Sequence, residues 1–325
     1  MLIEKIRDIK PGYSEFEVVH EDWVFRLLHY KSKPKLKTPL LISYAFINRP
    51  YILDLHKDVS VVRHLIRAGL DVWMVDWGYP SLADRHLKIS DYIDYLDFCV
   101  NFIREKRSVE NITLHGYCLG TTLSVIYASL YPEKIRNLVI QTPPINFDTK
   151  NTLALWAKNT DPVKVSRATF NATGDFLNLA FLLVDPIRLA VGKYQSLLDN
   201  LDNEKFIRDF FYMDYWIFDS PAIPGKVYEE YITRWYHRNE LIKGKYDVDG
   251  RKVNLNNIKM PVLVLAAEKD HITPPDAVMP FFESIPSKDK KLLMSEKGHI
   301  GLTVSRSSHK KIWTEAVKWI VERSK

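Results

Sequence analysis

An α/β fold with a mostly parallel central sheet is predicted by three features of this 325-residue chain. Short apolar runs alternate with helix-length stretches from Pro39 to Gln141, and again from Pro261 to Arg323. The apolar runs are nearly continuous, which suits strands buried on both faces. Between the two regions lies an aromatic-rich stretch with helical spacing and no core-type strand, from about Phe147 to Lys252. That order predicts one α/β core in two parts, 1–146 and 253–325, carrying a helical cap or lid insertion over 147–252.

The elements follow in order. Glu15 to Val19 and Trp23 to Leu28 are β-rich runs around a polar turn, so they read as a hairpin. Pro39 to Ile47 reads as a buried strand. Val59 to Ala68 has helical spacing and stops at Gly69, a favoured residue just past a helix end. Asp71 to Trp77 is strand-like. Ser90 to Lys106 is helical, with Ser90 as the expected N-cap and acids in the first turn. Asn111 to Tyr117 is a strand, Leu119 to Tyr131 an apolar helix ending before Pro132, and Asn137 to Gln141 another strand. After the insertion come the strand Pro261 to Ala267, a helix over Pro275 to Ile285, the strand Lys291 to Met294 and a helix from Lys310 to Arg323.

Composition narrows the class. Apolar residues make up 46% and charged residues 26%, ordinary usage for a globular protein with a large core. Two cysteines, Cys99 and Cys118, are too few for a disulfide scaffold. Met1 to Lys10 is charged and lacks the apolar segment of a secretory signal, and no apolar run is long enough to span a bilayer. A reducing, cytoplasmic setting is expected. The net charge is +6, and Lys31, Lys33, Lys35 and Lys37 cluster around Pro34. Without aromatic interleaving or a recognition module, this cluster reads as a solvated loop and not as a nucleic-acid surface. No residue grouping has metal-ligand spacing, and no phosphate-binding glycine loop is present, so neither metal nor cofactor is expected.

The chemistry concentrates in Gly116-Tyr117-Cys118-Leu119-Gly120. This segment follows a strand and opens a helix, the setting of a nucleophile elbow. Gly116 and Gly120 let strand and helix approach closely. Cys118 takes the place usual for serine, and a helix N-terminus there favours the thiolate. Cys99, by contrast, shares a helix with Ile93, Leu96, Val100 and Ile103 and reads as a buried core thiol. In the α/β-hydrolase fold the order is nucleophile, acid, histidine. Asp270 follows the strand PVLVLAA, and His299 follows KKLLM, so both emerge at strand ends that face one crevice. Asp270 would orient the imidazole, and His299 would take a proton from the thiol or an incoming alcohol. His115 is expected to be a strand residue, His271 to point away from the site, and His237 to belong to the cap. One oxyanion donor is the backbone N–H of Leu119, and the other comes from Phe46, Ile47 or Asn48.

Six segments in order extend this reading. They are Tyr44 to Leu55 (YAFINRPYILDL), Asp76 to Pro80 (DWGYP), the box around Cys118, Trp216 to Pro221 (WIFDSP), Asp270 to Pro275 (DHITPP) and Gly298 to Gly301 (GHIG). With them the chain resembles the polyhydroxyalkanoate synthases, above all the short catalytic subunits that work with a second synthase subunit. The resemblance implies polymerisation of (R)-3-hydroxyacyl-coenzyme A, 3-hydroxybutyryl units foremost, with release of coenzyme A. It implies Cys118 as acyl carrier, His299 as base, Asp270 as triad acid and Ile47 as the second oxyanion donor. Which of Asp270 and His299 activates the incoming hydroxyl stays open. It further implies a homodimer or hetero-oligomer, cytoplasmic and associated with polyester granules. The net positive charge suits an anionic thioester. Family members commonly have Gln or Met at Leu119 and Gly at Thr121, a departure that bears on subclass and not on the chemistry.

Two other readings share these residues. A cysteine-dependent thioesterase or esterase would use the same fold and triad with water as acceptor. A non-catalytic granule-surface protein would keep the fold alone, which an intact triad argues against. The aromatics Trp156, Phe176, Phe181, Phe206, Phe210, Phe211, Tyr215 and Trp216 are expected to give the insertion a small core and a dry cover over the crevice.

Overall fold

The computed structural model describes residues 12–185 and 191–325; Met1 to Lys10 lies outside them. Eight strands form the central sheet: β1 (Phe16–Glu21), β2 (Arg26–Tyr30), β3 (Leu40–Ser43), β4 (Val72–Asp76), β5 (Ile112–Tyr117), β6 (Ile135–Gln141), β7 (Val262–Ala267) and β8 (Lys290–Ser295). Across the sheet they run β1-β2-β4-β3-β5-β6-β7-β8. The β1–β2 and β2–β4 pairs are antiparallel, and every pair from β4 to β8 is parallel. The expected mostly parallel α/β sheet is therefore present.

Parallel neighbours need crossovers, and helices supply them. These are α1 (Val61–Arg67) after β3, α2 (Ile89–Arg107) after β4 and α3 (Leu119–Leu130) after β5. The chain moves outward from β3 to β4, then jumps back past β3 to β5. The loops leaving β3 and β5 thus part in opposite directions and open a crevice at their carboxyl ends. Strands β3, β4, β5 and β7 are buried along their whole length, which explains their unbroken apolar runs.

Between β6 and β7 the chain forms α4 (Thr152–Asn159), α5 (Pro162–Thr169), α6 (Gly174–Val184), α7 (Lys193–Leu198), α8 (Glu204–Phe218) and α9 (Gly225–Glu230). The last continues as a wider turn over Tyr231–His237. After β7 come α10 (Pro275–Ser284), α11 (His299–Val304) and α12 (Thr314–Arg323).

Three local expectations change. The second hairpin strand begins at Arg26, because Trp23 sits in the turn and is 86% exposed. Strand β3 ends at Ser43, not Ile47; beyond it the backbone packs under α3. Ser90 is not the N-cap of α2. The helix starts one residue earlier so that Ile89 is buried, Lys88 takes the extended cap position, and the Asp91 carboxylate accepts the Lys88 N–H at 2.7 Å.

The opposite end of the sheet is pinned by one buried carboxylate. Asp71, just ahead of β4, accepts two bonds from Arg107 at 2.7 and 2.8 Å and one from the Trp73 indole at 2.8 Å, and lies 2.9 Å from His29 Nε2. Burial opposes its charge, but His29, Arg107 and Trp73 outweigh that and hold its pKa at about 2. An unfolded aspartate titrates near ~3.9. Its contribution to stability is therefore complete above about pH 4 and is lost as pH falls through 2. Asp71→Ala should destabilise the fold by about 3 kcal/mol at neutral pH, because Arg107 and His29 lose their buried partner. It should also flatten the acid limb of stability between about pH 4 and 2, measured by urea denaturation across that range.

Candidate active site

Cys118 joins β5 to α3 with φ 50° and ψ −124°. A non-glycine residue at positive φ is strained, and the surroundings must enforce it. The Cys118 N–H donates to the Gln141 carbonyl at 3.0 Å. Its own carbonyl accepts the Thr121 N–H at 2.8 Å and the Thr121 hydroxyl at 2.5 Å. Thr121, the departure noted in the sequence, thus braces the elbow. The flanking glycines are required by space. A Cβ on Gly120 would lie 2.1 Å from the Ser43 carbonyl oxygen, and one on Gly116 would lie 2.5 Å from Thr121 Cα. The thiol is left partly exposed at the head of the helix.

His299 opens α11 and is 7% exposed. Its Nδ1 lies 2.8 Å from Asp270 Oδ2, and Cys118 is near enough to act on the ring electrostatically. Asp270 is 3% exposed and fully engaged. Its Oδ1 accepts the N–H groups of Ile272 and Thr273 at 2.9 and 2.8 Å, and its Oδ2 accepts the Thr273 hydroxyl at 2.8 Å. Burial raises the Asp270 pKa, but His299 and these donors lower it overall. Burial likewise disfavours a charged His299, yet Asp270 and Cys118 together push its pKa up to about 10. The structure therefore brings Cys118 close to a hydrogen-bonded His299–Asp270 pair.

The two expected oxyanion residues begin α3 and follow β3. Leu119 is the first residue of α3, so its N–H has no partner within the helix. Ile47 lies in the loop after β3, and its N–H donates to no group among the described residues. The next residue, Asn48, has φ 59° and ties this loop to the helical insertion through Ser220, at 2.7 Å.

Sequence reasoning missed three parts of the site. Thr273 bridges the dyad, 2.8 Å from Asp270 and 3.2 Å from His299; its place three residues after the acid was the available signal. Tyr44, Tyr117, Tyr231 and Tyr236 all lie within electrostatic reach of Cys118. Tyr44 stacks on Tyr117 at 5.2 Å. Asp219 accepts the hydroxyls of Tyr51 at 2.8 Å and Tyr79 at 2.5 Å, and so latches α8 to the core. The Trp216 indole adds a bond to the Arg49 carbonyl at 2.8 Å.

The remaining candidates fall elsewhere. Cys99 is fully buried, and burial alone pushes its thiol pKa up. His115 is a buried β5 residue whose pKa burial lowers to about 4. His271 is exposed, and His237 bonds the Ala157 carbonyl of α4 at 2.9 Å. Of the expected cover, Trp216 is 6% exposed, whereas Phe176 and Tyr215 are 37% and 47% exposed. Among the described residues no group of three or more His, Cys, Asp or Glu is placed to hold a metal ion.

A cysteine at a strained strand–helix turn, linked to a buried His–Asp pair from two later strand ends, defines an α/β-hydrolase-fold protein. Residues 38–304 match the family described as alpha/beta hydrolase fold. The monoacylglycerol lipase of Paleococcus ferrophilus has this architecture at a TM-score of 0.61 and 19% identity, covering 95% of this chain and 100% of the lipase. Sequence similarity is greater to a narrower group. The poly(3-hydroxyalkanoate) polymerase subunit PhaC of Haloferax mediterranei is 40% identical over 99% of this chain and 66% of that protein. The PhaC of Synechocystis sp. is 37% identical over 97% of this chain and 86% of that protein. The chain belongs to the poly(3-hydroxyalkanoate) polymerase subunit PhaC family.

The glycine contact at the elbow is directly testable. Gly120→Ala should lower stability by about 3 kcal/mol or prevent folding, since its Cβ would collide with backbone and not with a movable side chain. Urea denaturation of soluble protein, or its absence from the soluble fraction, gives the readout.

Proposed function

We propose that this chain polymerises (R)-3-hydroxyacyl groups drawn from coenzyme A thioesters, with Cys118 as the acyl carrier. The observation that carries the reading is a cysteine elbow with its His–Asp pair in a chain that matches polymerase subunits over nearly all its length. The lipase likeness speaks for the fold alone.

The chemistry follows from the residues. His299 takes the Cys118 proton, and the sulfur attacks the thioester carbonyl. The N–H groups of Leu119 and Ile47 hold the developing oxyanion. Collapse expels coenzyme A as its thiolate, which regains the proton from His299, and leaves an acyl group on Cys118. A hydroxyl of the next acyl unit then gives its proton to His299 and attacks that acyl group. An ester forms and the sulfur leaves, taking the proton back. His299 is the base in both halves, because each Asp270 oxygen already carries two hydrogen-bond contacts and the residue is 3% exposed. Asp270 orients the ring and supports its charge.

The segment 147–252 acts as the cap of this site. Tyr231 and Tyr236 bring it near Cys118, and the Asp219 bonds fasten it to the core. A covered thioester is protected from water, which would otherwise end the polymer. The cap exposes Leu179, Leu183, Leu198, Leu201 and Phe218, each at least 46%. This apolar surface supports docking of a second synthase subunit, in a cytoplasmic protein that works at a polyester granule. Among the described residues no helix is long and apolar enough to cross a membrane.

Cys118→Ala should reduce coenzyme A release and chloroform-soluble polymer to below a few per cent of the parent while leaving the melting temperature nearly unchanged; substantial residual turnover would remove Cys118 from its role. A second outcome concerns the base. Cys118 is one of the groups that raise His299, so capping the sulfur as an uncharged thioether should lower the His299 pKa from about 10. An imidazole NMR titration before and after iodoacetamide treatment measures the shift. The same fall on acylation frees the imidazole to accept a proton from the incoming hydroxyl.

A further inference from the structure

Away from the triad, positive charge gathers in a cleft of about 590 Å³. Its walls come from α1 and the turn before it, the start of α8, and the segment that follows α11. Six cations line it: Lys57, Arg63, Arg67, Lys205, Arg306 and Lys310. Asp58 is the sole carboxylate among the lining residues, and it is paired with Arg208 at 3.0 Å. Arg306 is paired with Asp209 at 2.7 Å. The other five cations have no ion-pair partner among the described residues. Like charges drawn together from separate elements destabilise the fold, and an anion between them reverses the sign of that effect.

A buried polar atom strengthens the case. Arg306 Nε, an N–H donor, is buried without a partner. Buried polar groups are normally satisfied, so an unpartnered donor lining a cationic cleft points to an anionic ligand that accepts from it. His309 also lines the cleft but is neutral, its pKa lowered by burial to about 4 and its Nε2 N–H donating to the Thr303 carbonyl at 2.7 Å, so it adds no charge there.

The cleft is near the thiol's machinery yet separate from it. At ~1.5 Å per helical residue, Arg306 lies on the order of 10 Å along the chain from His299. Lys57 and Arg63 follow the same β3 loop that carries Ile47. The pantetheine arm of coenzyme A spans such a separation.

The geometry points to this cleft as a binding site for a ligand bearing several phosphate groups. One source is the nucleotide end of the coenzyme A thioester, an assignment that rests on the function proposed above. The other is a free phosphate compound acting independently of the substrate.

The test uses the triple variant Arg67→Gln/Lys205→Gln/Lys310→Gln, which changes exposed side chains. Lys310→Glu alone replaces it if the triple variant does not fold. Calorimetry at low salt measures binding of coenzyme A and of inorganic pyrophosphate. Kinetics compare 3-hydroxybutyryl-coenzyme A with the N-acetylcysteamine thioester, which lacks the nucleotide. The expected result is at least tenfold weaker binding of coenzyme A in the variant and at least tenfold higher KM for its thioester. kcat and the KM of the truncated thioester should hold. Loss of pyrophosphate binding with both KM values unchanged supports the site and assigns it to a free phosphate ligand. Unchanged binding of both probes in the variant overturns the proposal. A parent protein that makes no polymer counts against the function above, while the calorimetry still decides the cleft.

Discussion

The contact between Gly120 and the backbone of Ser43 and Tyr44 sets the rest of the site. A Cβ there would sit 2.1 Å from the Ser43 oxygen. Without one, α3 lies directly against the end of β3, and the chain between β5 and α3 must turn within a single residue. That residue is Cys118, held at φ 50° by bonds from its N–H to Gln141 and from Thr121 to its carbonyl. The same contact ends β3 at Ser43 and sends Tyr44 to Asn48 across the head of α3. The loop that carries Ile47 therefore leaves β3 where α3 begins at Leu119. Strain at the thiol and the course of the loop proposed to hold the oxyanion both follow from one backbone approach.

Charge is organised around that sulfur in a graded way. Asp270 is the most buried member and the most completely bonded, so its geometry is fixed by Ile272 and Thr273 before His299 is considered. His299 then sits between a fixed carboxylate and a thiol. One side of the imidazole has a constant partner, while the other would change charge in the reaction proposed above. A base that must be strong for a thiol and available for an alcohol is well served by such an arrangement, because its basicity follows the state of the group it has just deprotonated.

Much of this was legible in the sequence, and the parts that were not share a cause. The elbow was readable because Gly-x-Cys-x-Gly between a strand and a helix encodes a local steric demand. Asp270 and His299 were readable because strand ends in a parallel sheet converge, whatever their sequence distance. The strands themselves were readable from continuous apolar runs. Thr273 was within reach, since a hydroxyl three residues after a turn aspartate commonly bonds it. Tyr231, Tyr236 and Asp219 were not, because their contacts span more than a hundred residues and depend on how the insertion folds back. The N-cap of α2 was misplaced for a different reason. Ser90 has the better capping side chain, but burial of Ile89 outweighs a cap worth about 1 kcal/mol.

How the cap is held bears on how it works. Its latch to the core at Asp219, Ser220 and Trp216 is made of hydrogen bonds to Tyr51, Tyr79, Asn48 and the Arg49 carbonyl. Each such bond contributes only about 1 kcal/mol net, since water replaces it when it breaks. The Phe147, Tyr231, Trp235 and Tyr236 rings, by contrast, pack on one another and on Phe46 as part of the core. The cap therefore has a firmly seated root and a lightly fastened edge. Opening the edge costs little while the root keeps Tyr231 and Tyr236 packed against Phe147. In the reaction proposed above, an acyl chain would enter or leave at the edge fastened by Asp219 while the ring cluster of the root stays packed. That division is what a polymerising thiol requires: repeated passage of a growing chain and continuous exclusion of water from the bond that carries it.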